Sequence, residues 1–294
     1  MISHLLDPVL IERLSQLQLS ARRVVEGATT GQHRSPLKGA SVEFRQHRFY
    51  VPGDEPRRLD WRILARTDRP YVKEYDEETN LRCQLLLDCS GSMAYRGRGV
   101  SKFDYAAQVV ASLAYVMLGQ TESVGLTTFA DRVQQFLKPH GGTPQLSRIV
   151  DLLERSAANG TADVRRAMCE SADRLGRRGL VIIVSDFFAP IETLRAGLAR
   201  LHHGRHEVVV LRVLDRDEIE FPFNRWTRFH GLEAEPAQLC EPAVMRETYL
   251  RNFKAHEAAI TQTCRAFGFE FHTLKTDHSL ADALVEFLQR RTRS

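Results

Sequence analysis

Two aspartates, Asp88 and Asp186, each close a short apolar run and are candidate ligands for a hard cation. Asp88 follows Leu85-Leu86-Leu87, and Asp186 follows the β-rich run 180–184. Asp88 opens Asp88-Cys89-Ser90-Gly91-Ser92, a D-x-S-x-S spacing that holds one carboxylate and two hydroxyls within a single turn. Asn159-Gly160-Thr161 adds a third hydroxyl ahead of a helix expected from Val164. Five oxygen ligands of which only two are charged suit Mg2+, with Mn2+ or Ca2+ as alternatives. The two carboxylates balance the ion, and one position stays open for water or an incoming oxygen. Each residue also has a plainer use, because Asp, Ser and Thr at strand ends often cap the next helix. Their joint occurrence, in this order and in these contexts, favours the metal reading.

The elements that must position these residues alternate between strands and helices. Strands are expected at 83–87, 123–129, 133–137, 180–184, 208–213 and 270–274. Helices are expected at 103–118, 146–153, 164–175, 194–201, 245–267 and 280–288. Strands apolar on both faces indicate a mostly parallel, doubly wound sheet covered by helices. In such a sheet ligands bind beyond the carboxyl ends of the strands, where Asp88 and Asp186 are expected to lie side by side. Residues 215–250 break the rhythm and read as an excursion of loops or short strands. Ahead of the sheet, 3-4 spacing predicts an amphipathic helix over residues 5–25, followed by a loop and then an arginine-rich stretch. The chain is thus expected to divide into an N-terminal extension, residues 1–78, packing on a main domain, residues 79–294.

The charge follows that division. The net charge is +4, and all of it lies in residues 1–75, with 13 Lys+Arg against 9 Asp+Glu. Basic residues interleaved with Phe49, Tyr50, Trp61 and Tyr71 raise nucleic-acid binding as an alternative. The acids Glu43, Asp54, Glu55, Asp60 and Asp68 are interspersed, so ion pairing within the segment is preferred. Arg57, Arg58 and Arg62 are the candidates for an electrostatic partner contact. Five cysteines without a C-x-x-C pair fit reduced thiols. Asp7 and Glu12 interrupt any leader-like run, and the longest nearly apolar stretch, 109–118, is half the ~20 residues that span a bilayer. A cytoplasmic protein is expected.

At Asp88, Ser90, Ser92, Thr161 and Asp186 the chain resembles the von Willebrand factor A family, whose metal-ion-dependent adhesion site has this pattern. The resemblance covers about residues 80–290. It implies a central, mostly parallel sheet with one antiparallel edge strand, and a site where a partner's Glu or Asp completes the metal shell. Phe187-Phe188 after Asp186 departs from the small residue usual there and is expected to narrow access. A second resemblance covers nearly the whole chain. Phe49-Tyr50-Val51-Pro52-Gly53-Asp54, Arg58-Leu59-Asp60-Trp61-Arg62 and Tyr71-Val72-Lys73-Glu74-Tyr75 are similar to the bacterial domain-of-unknown-function fifty-eight family. That resemblance implies an adaptor-like or chaperone-like role beside MoxR-type AAA+ ATPases. Many of its members carry membrane helices ahead of this region, and this sequence shows none.

The expected function is therefore metal-dependent protein binding without catalysis. The main enzymatic alternative is a phosphohydrolase of haloacid-dehalogenase type, which also places an Asp after the first strand. Such enzymes use a second carboxylate two residues on as general acid, where this chain has Ser90. Residues 96–102 lack the order of a P-loop, and Ser90-Gly91-Ser92 is not a G-x-S-x-G elbow. His202, His203 and His206 read as helix-end residues complementing the dipole rather than as ligands.

Overall fold

The structure is a computed structural model, in which residues 41–51, 59–78, 82–120, 122–176, 178–233 and 236–293 are described. The helix expected over 5–25 and the arginines Arg57 and Arg58 lie outside the described residues. Two compact units are present, the smaller within Gly31–Asn80 and the larger beginning at Leu81 on its described side.

The smaller unit is an antiparallel pair, β1 (Ser41–Phe49) and β2 (Tyr71–Glu78), with a short helix α1 (Trp61–Thr67) between them. A register shift between Phe44 and Gln46 breaks the alternation begun by Val42 and Phe44. That bulge hides the period-two pattern, so the stretch reads only as basic from sequence. Asp60 caps α1, its carboxylate accepting from the Arg62 and Ile63 N–H groups at 3.0 and 3.2 Å. Arg62 is exposed on that helix.

The larger unit holds a six-stranded sheet in the order β10–β7–β6–β3–β4–β5. Its strands are β3 (Arg82–Asp88), β4 (Ser123–Phe129), β5 (Val133–His140), β6 (Leu180–Ser185), β7 (Glu207–Leu214) and β10 (Glu270–Lys275). Only β5, at one edge, runs antiparallel, as the resemblance implied. Both faces are covered. Leu85 and Leu87 of β3, with Ile182 and Val184 of β6, pack under α2 (Lys102–Leu118), α3 (Thr143–Arg155) and α8 (Leu280–Arg293). Leu86, Val181 and Ile183 point the other way, towards α4 (Val164–Leu175), α5 (Ile191–His203) and α7 (Pro242–Ala266). Consecutive side chains thus enter opposite cores, which explains the uninterrupted apolar runs.

This winding creates the place for a site. The chain leaves β3 through α2 on one face and leaves β6 through α5 on the other. β3 and β6 are parallel neighbours, with Leu87 opposite Val184. Their carboxyl ends therefore flank a crevice at the point where the winding reverses. The excursion after β7 comprises a one-turn helix α6 (Arg216–Glu220) and a hairpin of β8 (Thr227–Phe229) and β9 (Gln238–Cys240). It is anchored by an aromatic cluster in which the Phe221 ring lies 4.5 Å from Tyr249 and 5.2 Å from Phe223. The excursion thus returns to the sheet edge from which β7 departs.

Candidate metal centre

Asp88 and Asp186 meet at the carboxyl ends of β3 and β6, each about 1% exposed. Asp88 does not cap a helix. Its Oδ1 accepts from the Ser90 N–H at 2.9 Å, and its Oδ2 accepts from the Ser185 hydroxyl at 2.5 Å. Ser185 comes from the last position of β6, so one hydroxyl ties the two strand ends together. Ser90 stands at the cap position of a 3-10 turn (Gly91–Ala94), yet its side chain makes no cap bond. Its hydroxyl lies 3.2 Å from that of Ser92 instead. Asp186 Oδ1 accepts from the Phe188 N–H at 3.1 Å.

Asp88, Ser90 and Asp186 are thus buried together at the two strand ends, with the half-buried Ser92 joined to them through Ser90. Thr161 stands beside this group rather than in it. Its loop is stitched to the Asp88 loop by Gly91 N–H to Gly160 O at 2.8 Å and Asn159 N–H to Cys89 O at 2.9 Å. Thr161 itself is exposed, and the cap of α4 is Asp163, whose carboxylate accepts from the Arg166 N–H. The capping role open to Thr161 in the sequence is therefore taken by a neighbour.

Phe187 and Phe188 divide their work. Phe187 has a left-handed φ of 54° and is fully buried, while Phe188 turns outward and is half exposed. A bulky residue in that region of backbone space is strained, and such strain gathers at functional sites. The Phe188 ring lies 5.8 Å from the Lys102 ammonium.

Lys102 is the residue that sequence reasoning missed. Its Nζ donates to Asp186 Oδ2 at 2.7 Å and to Glu218 Oε1 at 2.6 Å, in nearly complete burial. The signal was available: Lys102 stands at the start of α2 on the buried stripe continued by Ala106, Val109 and Leu113. A charge on a buried stripe requires a partner. Glu218 could not be found in this way, because it arrives from the excursion. Asp215 and Glu218 form a capping box on α6, and Asp215 also accepts from the Gly97 N–H and the Thr276 hydroxyl.

The electrostatics leave the centre short of positive charge. Burial, then the charge of Asp186, push the Asp88 carboxyl up to about 7, against the opposing bonds from Ser185 and Ser90. Burial also disfavours ionised Asp186. There it is outweighed by Lys102, with help from Phe188 N–H and Ser92, so Asp186 is held below the usual carboxylate value. Burial raises Glu218 despite Lys102. One buried ammonium thus serves Asp186 and Glu218, and Asp88 has no cation of its own. Among the described residues no three His, Cys, Asp or Glu side chains are gathered for a metal. The donors at this centre are two carboxylates with neighbouring hydroxyls, a set that fits a hard divalent ion.

A doubly wound α/β sheet with carboxylates and hydroxyls converging at its reversal point defines the class of protein. The model of the family described as "Protein of unknown function DUF58" matches residues 46–259, and the chain belongs to that family. Uncharacterized proteins of Mycobacterium bovis and Mycobacterium tuberculosis are 27% identical to it over 292 residues, covering 98% of this chain and 91% of theirs. Among solved structures it is similar to the conserved hypothetical protein BatB from Bacteroides thetaiotaomicron, with 14% identity, TM-score 0.46, and coverage of 73% of this chain and all of that one. It is also similar to the SpRpn10 VWA domain, with 11% identity, TM-score 0.44, and coverage of 71% and 95%. No helix among the described residues is long and apolar enough to cross a membrane.

Proposed function

We propose that this chain is a metal-dependent protein-binding module, in which Asp88, Ser90, Ser92, Thr161 and Asp186 hold Mg2+ or Mn2+. The observation that carries the reading is the charge deficit at the centre: Asp88 is buried beside Asp186 with no cation of its own. A bound divalent ion would supply that charge and a directional acceptor for a partner's carboxylate. The hydroxyls of Ser90, Ser92 and Thr161 add no negative charge, which leaves the centre receptive to an anionic side chain.

The surroundings support protein binding over catalysis. Among the described residues of this unit, the exposed large apolar side chains follow the carboxyl ends of β3, β6 and β7. They are Val100 after β3, Phe188 after β6, and Trp226, Leu232, Leu239, Val244 and Met245 from the excursion and the start of α7. Two of them stand beside the centre, Phe188 at Lys102 and Leu232 at Gly91, and exposed apolar side chains next to a small polar centre suit a protein interface. A phosphohydrolase would need a general acid two residues after Asp88, and Ser90 instead shares a hydrogen bond with Ser92. The partner class that the family resemblance implies is a MoxR-type AAA+ ATPase or its client. Arg57, Arg58 and Arg62 would add a longer-range electrostatic contact.

Calorimetry of Mg2+ and Mn2+ with the full chain tests the reading. Asp88→Ala should abolish binding while the far-ultraviolet circular dichroism and cooperative unfolding persist. Capture of an AAA+ partner should be lost on chelation and in Asp88→Ala. Neutralising Arg57, Arg58 and Arg62 should instead slow association in a salt-dependent way. Equal metal affinity in wild type and Asp88→Ala refutes the assignment, and phosphomonoester hydrolysis that disappears in the variant revives the enzymatic alternative.

A further inference from the structure

Leu232 and Glu233, which follow β8, lie against both hydroxyl-bearing loops of the centre. Gly91 lies so close to Leu232 that a β-carbon there would stand 2.0 Å from the Leu232 carbonyl oxygen. The same β-carbon would stand 2.9 Å from the Gly160 carbonyl oxygen, so the two loops and Leu232 meet at this glycine. One residue further, Glu233 Oε2 accepts from the Ala162 N–H at 3.0 Å. A single dipeptide, Leu232-Glu233, thus touches the Ser90–Ser92 turn and the residue directly after Thr161. It brings a half-buried carboxylate to the edge of a centre whose one ammonium, Lys102, is already shared by Asp186 and Glu218, so a further anion there calls for a bound cation.

We infer that Glu233 is this chain's own acidic ligand for the centre. It takes the coordination position intended for a partner's carboxylate, and the partner must displace it. The inference rests on the metal-dependent reading above and adds its regulation. A tethered carboxylate competes at an effective concentration in the millimolar range, set by its short connection. Isolated acidic groups on other proteins then lose the competition. A true partner must also engage the apolar residues that the same excursion exposes, Trp226 and Leu232 among them. Displacing Glu233 and docking on those residues are one movement, so selectivity comes from requiring both.

The probe is Mn2+, with the full chain as wild type, Glu233→Gln, Glu233→Ala and Asp88→Ala. Affinity is read from the electron paramagnetic resonance of the free ion, and coordinated water from proton relaxation. Both Glu233 variants should bind Mn2+ severalfold more weakly than wild type, and their complexes should show greater water relaxation. Acetate should lower that relaxation in the variants at concentrations that leave wild type unchanged. Glu233→Gln keeps an acceptor for the Ala162 N–H, so the same behaviour in both variants separates coordination from loop packing. If Asp88→Ala loses Mn2+ while both Glu233 variants match wild type in affinity and relaxation, Glu233 only packs the loop and this inference is overturned. If Asp88→Ala binds like wild type, the metal reading itself fails and takes the inference with it.

Discussion

At the scale of the residue, Lys102 is the most consequential side chain outside the five candidate ligands. Its ammonium serves two buried carboxylates from different parts of the chain, Asp186 and Glu218. Removing one partner from a buried ionic group leaves the others uncompensated, at a cost of about 3–5 kcal/mol. Lys102→Met is therefore expected to lower stability towards urea by that order in the absence of divalent ions. The same variant removes the cation that competes for Asp186. Mg2+ should bind it more tightly than wild type and restore part of the lost stability, as read by calorimetry and by the melting temperature with and without the ion. A fall in Mg2+ affinity would show instead that Lys102 orients Asp186 for the ion. The five candidate ligands themselves were readable as types and spacings. Lys102 was readable only as an anomaly on the buried stripe of α2, and Ser185 not at all, since nothing in a strand-final serine announces a bond across to Asp88.

At the scale of the element, the excursion after β7 matters more than its lack of regular structure suggests. Residues 215–241 contribute Glu218 to the ammonium, Asp215 to the loop after Ser92, and Leu232-Glu233 to the loops of the centre. Gly91 is the contact on which the last of these depends. A methyl group at Gly91 meets backbone carbonyls rather than flexible side-chain ends, so the neighbours must move. Gly91→Ala is expected to release the β8–β9 connection. Hydrogen exchange should rise over residues 227–240 while the sheet stays protected, and stability should fall by about 1–3 kcal/mol, the usual cost of overpacking. Unchanged exchange there would mean that the connection is held from elsewhere. The interruption of helix and strand periodicity marks these residues as an excursion. Its return onto the centre is invisible in sequence, because it depends on the aromatic cluster of Phe221, Phe223, Phe229 and Tyr249 closing across elements.

At the scale of the whole molecule, buried titratable groups pull the pH dependence of stability in opposite directions. His206, buried ahead of β7, has its pKa lowered from the ordinary 6.5, chiefly by burial. The unfolded chain takes up that proton first. The contribution of His206 to stability is thus fully present above about pH 6.5 and is lost as pH falls towards the folded value. Asp88 works the other way. Its folded carboxyl is raised above the unfolded one, so protonation as pH falls through 7 towards 3.8 favours the folded metal-free chain. A wild-type profile alone therefore mixes the two. The difference in unfolding free energy between wild type and His206→Gln isolates one of them, and it should shrink steadily as pH is lowered through 6.5. A difference independent of pH would show that His206 is not held neutral.

The sequence by itself determined the doubly wound sheet, because strands buried on both faces must be apolar at every position and helices covering them must be apolar at every third or fourth. It also placed the candidate ligands Asp88, Ser90 and Ser92 together, since D-x-S-x-S is a local pattern within one turn. The bulge at Phe44–Gln46 hid β1 from the same kind of reading, because it breaks the alternation on which strand recognition depends. Only the tertiary structure decided which charges face one another. Asp88 and Asp186 are 98 positions apart, Lys102 and Glu218 are 116 apart, and Ala162 and Glu233 are 71 apart. Periodicity reports which face of an element is buried but not what meets it there. The separation of Asp88, without a cation, from Asp186, paired with one, arises from burial and proximity, and both exist only once the strand ends are side by side.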